Sequence, residues 1–247
     1  MPTYRFGKQP KKSDYRTLRF ASYLAPTIPP PPSAYSVLNR VYKGTNMTNP
    51  VTLFPLDGND TLGDCTIAAA AHAVTVYEGL DNKTNIPASQ AVVAQYKQLS
   101  GGQDNGLNEL DVLKHWGKNA MFGDTILAFT AIDPKNHAHV EQALSLFGGV
   151  YLGFQVTRDC QQQFNDHEPW TPGPLLNDGH AVYAVEYDQN GLTVLTWGNT
   201  QKGTWAWWDQ CVDEAYAIVP SEAKDPAFAP RFDVKQLLTD LAAVRGA

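Results

Sequence analysis

Asp57-Gly-Asn-Asp-Thr-Leu-Gly-Asp64, followed at once by Cys65-Thr-Ile-Ala-Ala-Ala-Ala-His-Ala-Val-Thr-Val-Tyr77, decides how this 247-residue chain folds. The first part is polar and rich in Gly and Asp, so it reads as a loop. The second has four consecutive alanines and few polar groups, which predicts a buried helix over roughly 65–79, ending near Gly79. Asp64 stands at the N-cap position. Cys65 therefore opens the helix. There the unpaired backbone N–H groups and the helix dipole favour an anion, which lowers a thiol pKa. The same N–H groups, that of Cys65 included, suit an oxyanion forming on a bound carbonyl. The alternative is an inert buried cysteine among alanines.

Outward from this helix, helices are expected at 88–99 and 108–117, so the first half beyond residue 50 is mainly helical. The second half changes character. A helix near 136–147 ends at Gly148-Gly149, and Val150–Val156 reads as a strand. A Pro-containing polar loop follows from 158 to 179. His180–Tyr187 is the next strand, and Asp188-Gln-Asn-Gly191 is a hairpin turn leading to a return strand, Leu192–Trp197. Trp205–Trp208 and Glu214–Val219 read as further strands, and 232–245 as an amphipathic helix. Residues 1–50 look irregular, with four prolines at 29–32 that favour an extended arm. The division expected is an arm at 1–50, a catalytic domain at 51–220 (a helical lobe at 51–130, a sheet lobe at 131–220) and a tail at 221–247. The fold class is α+β.

A cysteine nucleophile needs a base within hydrogen-bond reach. His72 lies too deep on the Cys65 helix, about 10 Å along it at 1.5 Å per residue, and reads as a core histidine. His115 reads as packing or surface, and His167 sits in the polar loop. His137 and His139 lack a third metal ligand nearby. His180 begins a strand directly after Asn177-Asp178-Gly179, a place that presents an imidazole to a cleft. An ordinary edge-strand histidine is the alternative. If Tyr187 pairs with Leu192, His180 falls opposite Asn199. If the loop is only Asn190-Gly191, it falls opposite Gln201. Either register puts Trp197, Asn199 and Gln201 on the face of His180. An amide such as Asn199 would fix the imidazole tautomer. Asp64, Trp170, Gly179, Trp197 and Gln201 are the candidates to line the cleft.

These residues resemble papain-like cysteine peptidases. The order Cys65, His180, Asn199 is similar to that family's Cys, His, Asn order. Gly63-Asp-Cys65 opening a long helix looks like its nucleophile segment, and His180-Ala-Val182 like its base segment. The resemblance implies a two-lobed fold and a catalytic triad of Cys65, His180 and Asn199. It also implies an oxyanion hole of Asn59, six residues before the nucleophile, and the Cys65 N–H. The bacteriocin-processing-like and cell-wall-amidase-like branches of the same superfamily are also open as homes for it. The expected activity is hydrolysis of a peptide-like amide in a peptide or protein substrate, through a Cys65 acyl-enzyme. The alternatives are an acyltransferase or transglutaminase-like enzyme, or a binding or structural protein on the same scaffold.

Charge and composition narrow the rest. The net charge of −6 argues against nucleic acid as a partner. Residues 1–20 carry six cations against one acid, leaving −11 on the remainder, so the arm is expected to lie on its own acidic body. No stretch is apolar enough to span a membrane. The N-terminus builds no signal-peptide h-region, so a cytoplasmic location is the default expectation. Three cysteines make a disulfide framework unexpected. No metal motif and no cofactor are expected.

Overall fold

A computed structural model describes residues 3–224 and 230–246. A short strand β1 (Tyr35–Ser36) and helix α1 (Leu38–Thr45) precede a one-turn helix α2 (Pro50–Leu53). The stretch read as an extended arm through residue 50 thus ends in packed structure. Then come α3 (Cys65–Leu80), α4 (Ser89–Leu99) and α5 (Glu109–Trp116). Asn108 caps α5 by accepting from the Leu110 N–H. The sheet half holds β2 (Ile126–Ile132), α6 (His137–Phe147), β3 (Val150–Thr157), α7 (Cys160–Asn165), β4 (Leu175–Asp188), β5 (Gly191–Thr196), β6 (Asn199–Thr204), α8 (Trp205–Cys211) and β7 (Val212–Pro220). Helix α9 (Val234–Gly246) follows.

Among the described residues the strands form one seven-stranded sheet in the order β2-β7-β3-β4-β5-β6, with β1 beside β4. Every pairing is antiparallel. Successive side chains in a strand point to opposite faces, and this sheet buries both. Tyr151, Tyr183, Leu195 and Tyr216 pack with α3, whereas Leu152, Val182, Val194 and Ala215 pack with α6 and α8. Helix α3 is apolar all round because it is enclosed, lying against both α1 and β4.

Three expectations are corrected. Trp205–Trp208 is helical, because Thr204 Oγ1 accepts from the Trp207 N–H and caps a helix there. The 158–179 loop contains α7 and the start of β4. The return strand stops at Thr196, because Trp197 (φ 47°) and Gly198 (φ 74°) make a two-residue turn with both φ positive. Such a turn matches strand twist and sends the chain straight back as β6.

Candidate active site

Cys65 heads α3 and is 1% exposed. Asp64, the residue before it, is fully buried near Asp57, and burial pushes its carboxyl up to about 7. His180 sits on β4 opposite Phe154 of β3. Cys65 and His180 border one cavity of about 10 Å³, near the lower limit for a single water. The start of α3 and strand β4 therefore bring a thiol and an imidazole to the border of one cavity, with no hydrogen bond between them.

The imidazole is held on every side. Its Nε2 lies 2.8 Å from Thr196 Oγ1. Its ring stacks on Trp197 at 4.6 Å, with the edges of Phe154 and Phe6 at 5.6 and 5.8 Å. Nδ1 has no hydrogen-bond partner. The tautomer that donates from Nε2 to Thr196 leaves Nδ1 as a free base. Burial pushes the His180 pKa down to about 3, so the ring is neutral.

The structure separates Asn199 from this ring. A bulge between Ala184 and Glu186 shifts the β4–β5 ladder by one residue, and the Trp197-Gly198 turn carries Asn199 onto β6. Its Oδ1 accepts from the Thr200 N–H. Thr196 occupies the place expected of Asn199. Gln201 is also elsewhere, donating to the Glu168 and Lys202 carbonyls. Trp170 is core, fully buried against Phe154 and Trp207. Trp197 borders the cavity, whereas Gly179 does not and instead accepts from the Lys8 N–H through its carbonyl. His72, expected to lie too deep, borders the same cavity, with its Nε2 held 3.0 Å from the Pro55 carbonyl and 3.5 Å from Asp57 Oδ2. His137 stacks on Trp205 and contacts Asp209. Among the described residues, no group of three His, Cys, Asp or Glu side chains is placed to hold a metal.

The cleft is filled by the chain's own N-terminal arm. The Arg5 N–H donates to the Asn59 carbonyl at 2.8 Å, and the Lys8 N–H to the Gly179 carbonyl at 3.0 Å. Leu107 donates to the Gly7 carbonyl and accepts from the Gln9 N–H, at 2.8 and 2.9 Å. Asn59 Nδ2 is turned to the Arg5 and Leu62 carbonyls. The arm thus lies along the cleft as an added strand, bonded to the helical side at Leu107 and the sheet side at Gly179. Gly7 is required there, because a methyl group on it would stand 1.8 Å from the Gly63 carbonyl oxygen. Burial pushes the Cys65 thiol up to about 12, although the N–H groups of Ala181 and Gly7 donate toward its sulfur. What the arm offers the sulfur is an N–H donor. Sequence reasoning missed Thr196 and the arm's register. The only signals were the arm's charge and a glycine between Phe6 and Lys8.

No protein-family model matches the sequence, and no curated protein matches it. Solved structures do resemble it. Xylellain, a cysteine protease from Xylella fastidiosa, superposes with a TM-score of 0.65 at 18% identity, covering 88% of this chain and 96% of that one. Procathepsin B S9 from Trypanosoma congolense gives 0.56 at 11% identity, over 87% and 86%. Digestive procathepsin L 3 of the Tenebrio molitor larval midgut gives 0.58 at 9%, over 85% and 75%. The chain has a papain-like α+β fold.

Proposed function

We propose that this chain is a cysteine peptidase in a latent state, its cleft closed by residues 4–9. The observation that carries the reading is that Cys65 and His180 border one cavity, with the thiol at a helix N-terminus and Thr196 bonded to the imidazole. The fold shared with cysteine proteases supports it. With the arm withdrawn, water reaches the pair. His180 Nδ1 takes the Cys65 proton, and the thiolate adds to a substrate carbonyl carbon. The Cys65 N–H and the freed Asn59 amide donate to the resulting oxyanion. His180 returns its proton to the leaving amine as the C–N bond breaks, giving a thioester. Water, deprotonated by His180, then cleaves the thioester to a carboxylic acid and restores the thiol.

The arm is not a substrate in this pose, because Cys65 meets the Gly7 N–H. Full-length Gly7→Ala should expel the arm and cleave a quenched fluorescent peptide library. Cleavage should vanish when Cys65→Ser is added. If Gly7→Ala cleaves nothing, and Cys65 alkylates in it only near and above pH 8.5, the unperturbed thiol value, the reading fails.

Thr196 acts as a positioning residue. In the Gly7→Ala background Thr196→Val should lower kcat/KM about tenfold, the worth of one hydrogen bond to a buried ring. Thr196→Ser should restore most of it. An equal loss in Thr196→Ser would assign Thr196 to packing alone.

A further inference from the structure

Lys8 is the arm residue most firmly engaged, and its side chain enters a built pocket. Its ammonium lies 3.0 Å from Asp213 Oδ2 and 3.0 Å from Glu214 Oε1. The lysine side chain is only 2% exposed and that of Glu214 only 1%. Tyr216 donates to Glu214 Oε2 at 2.8 Å, which leaves Oε1 for a cation. Glu109 is fully buried on the same pocket, and burial beside Glu214 holds its carboxyl well above the usual range, so it shares a proton with Glu214 rather than claiming the cation. Gly153 supplies the depth: a methyl group there would lie 1.9 Å from Lys8 Cε and 2.3 Å from Glu109 Oε2.

The backbone that delivers Lys8 uses contacts independent of sequence. Gly179 and Leu107 bond the arm through main-chain groups alone. Any extended peptide can make the same bonds, while the pocket reads the side chain between them. We infer that this pocket is the subsite by which the chain selects a basic side chain, lysine or arginine, in its peptide substrate; the inference rests on the peptidase reading above. An apolar side chain there would leave the buried Glu214 carboxylate without a counter-charge, which is strongly unfavourable. A lysine ammonium or the forked guanidinium of arginine supplies both charge and donors. Lys8 occupies the pocket while the arm is in place, so arm and substrate compete for it.

The test uses two forms of the full-length chain. In the first, Gly7→Ala combined with Cys65→Ala binds labelled peptides without cleaving them. A peptide of residues 3–12 should bind at least about tenfold more tightly than the same peptide with norleucine in place of Lys8, as expected for a close charge pair. Glu214→Gln, and independently Gly153→Ala, should erase the difference. Equal affinities, or no binding of either peptide, would overturn the inference. In the second form, Gly7→Ala with Cys65 intact should prefer lysine or arginine at one position of a randomised peptide library. Cleavage with no basic preference would overturn the subsite and leave the peptidase reading standing. Lysine-dependent binding without cleavage would do the reverse.

Discussion

Gly7→Ala should raise the rate at which iodoacetamide alkylates Cys65 at pH 7 by about a thousandfold, because the thiol returns from its buried pKa toward the unperturbed value near 8.5. With the arm in place, burial holds that thiol up at about 12, so almost none of it is thiolate at neutral pH. The substituted methyl group cannot share space with the Gly63 carbonyl, so strand and cleft must part. Water then reaches Cys65, and the α3 dipole and His180 favour the thiolate further. Mass-spectrometric quantification of labelled Cys65 measures the effect. Cys160 and Cys211 are both buried and serve as internal controls. A rate equal to that of the native chain would mean that the arm is not what shields Cys65.

Acid should open the same cleft. Burial holds the His180 pKa at about 3 in the closed chain. Once hydrated, the ring returns to a value near 6.5. The open form therefore binds more protons than the closed form between these values, and falling pH favours it. Stability of the closed form is full above 6.5 and is lost as pH falls toward 3. Between pH 7.5 and 4.5 the open fraction should grow about a hundredfold. Hydrogen exchange at the Arg5, Lys8 and Gln9 amides, corrected for the intrinsic pH dependence of exchange, reports this opening directly. Unchanged protection would show that the arm closes without regard to the imidazole. Melting temperature is a poorer readout, because Asp64 works in the opposite sense. Its carboxyl is raised to about 7, so its contribution is present at low pH and lost as pH rises through that value.

Much of this was legible in the chain itself. The alanine run after Asp64 marks α3 and puts Cys65 at its head, since so apolar a helix must be enclosed and its start is announced by the Gly/Asp loop. The strand carrying His180 follows from its apolar run between a glycine and a hairpin turn. The partner of His180 was not legible. A tryptophan at positive φ, as Trp197 is, runs against its intrinsic preference, and nothing local marks the bulge between Ala184 and Glu186. Together they replace Asn199 by Thr196. Trp205–Trp208 misled for a related reason, since aromatic residues favour strands until Thr204 caps a helix ahead of them. The basic arm could be matched to the acidic body by charge. Its register depends on Gly7 meeting Gly63 and Lys8 meeting Glu214, contacts between residues 56 and 206 positions apart.

Trp197 carries a further consequence. Its indole is sandwiched, with the Tyr4 ring parallel on one side at 4.6 Å and the His180 ring on the other at 4.6 Å. One slab belongs to the segment proposed to leave and the other to the imidazole proposed to take up the proton. The indole is thus a native chromophore at the junction of both events. Departure of Tyr4 wets one π-face and shifts emission to the red, while a charged imidazolium against the other quenches it. With the other five tryptophans replaced by phenylalanine, Trp197 would report both proposed steps without an attached dye.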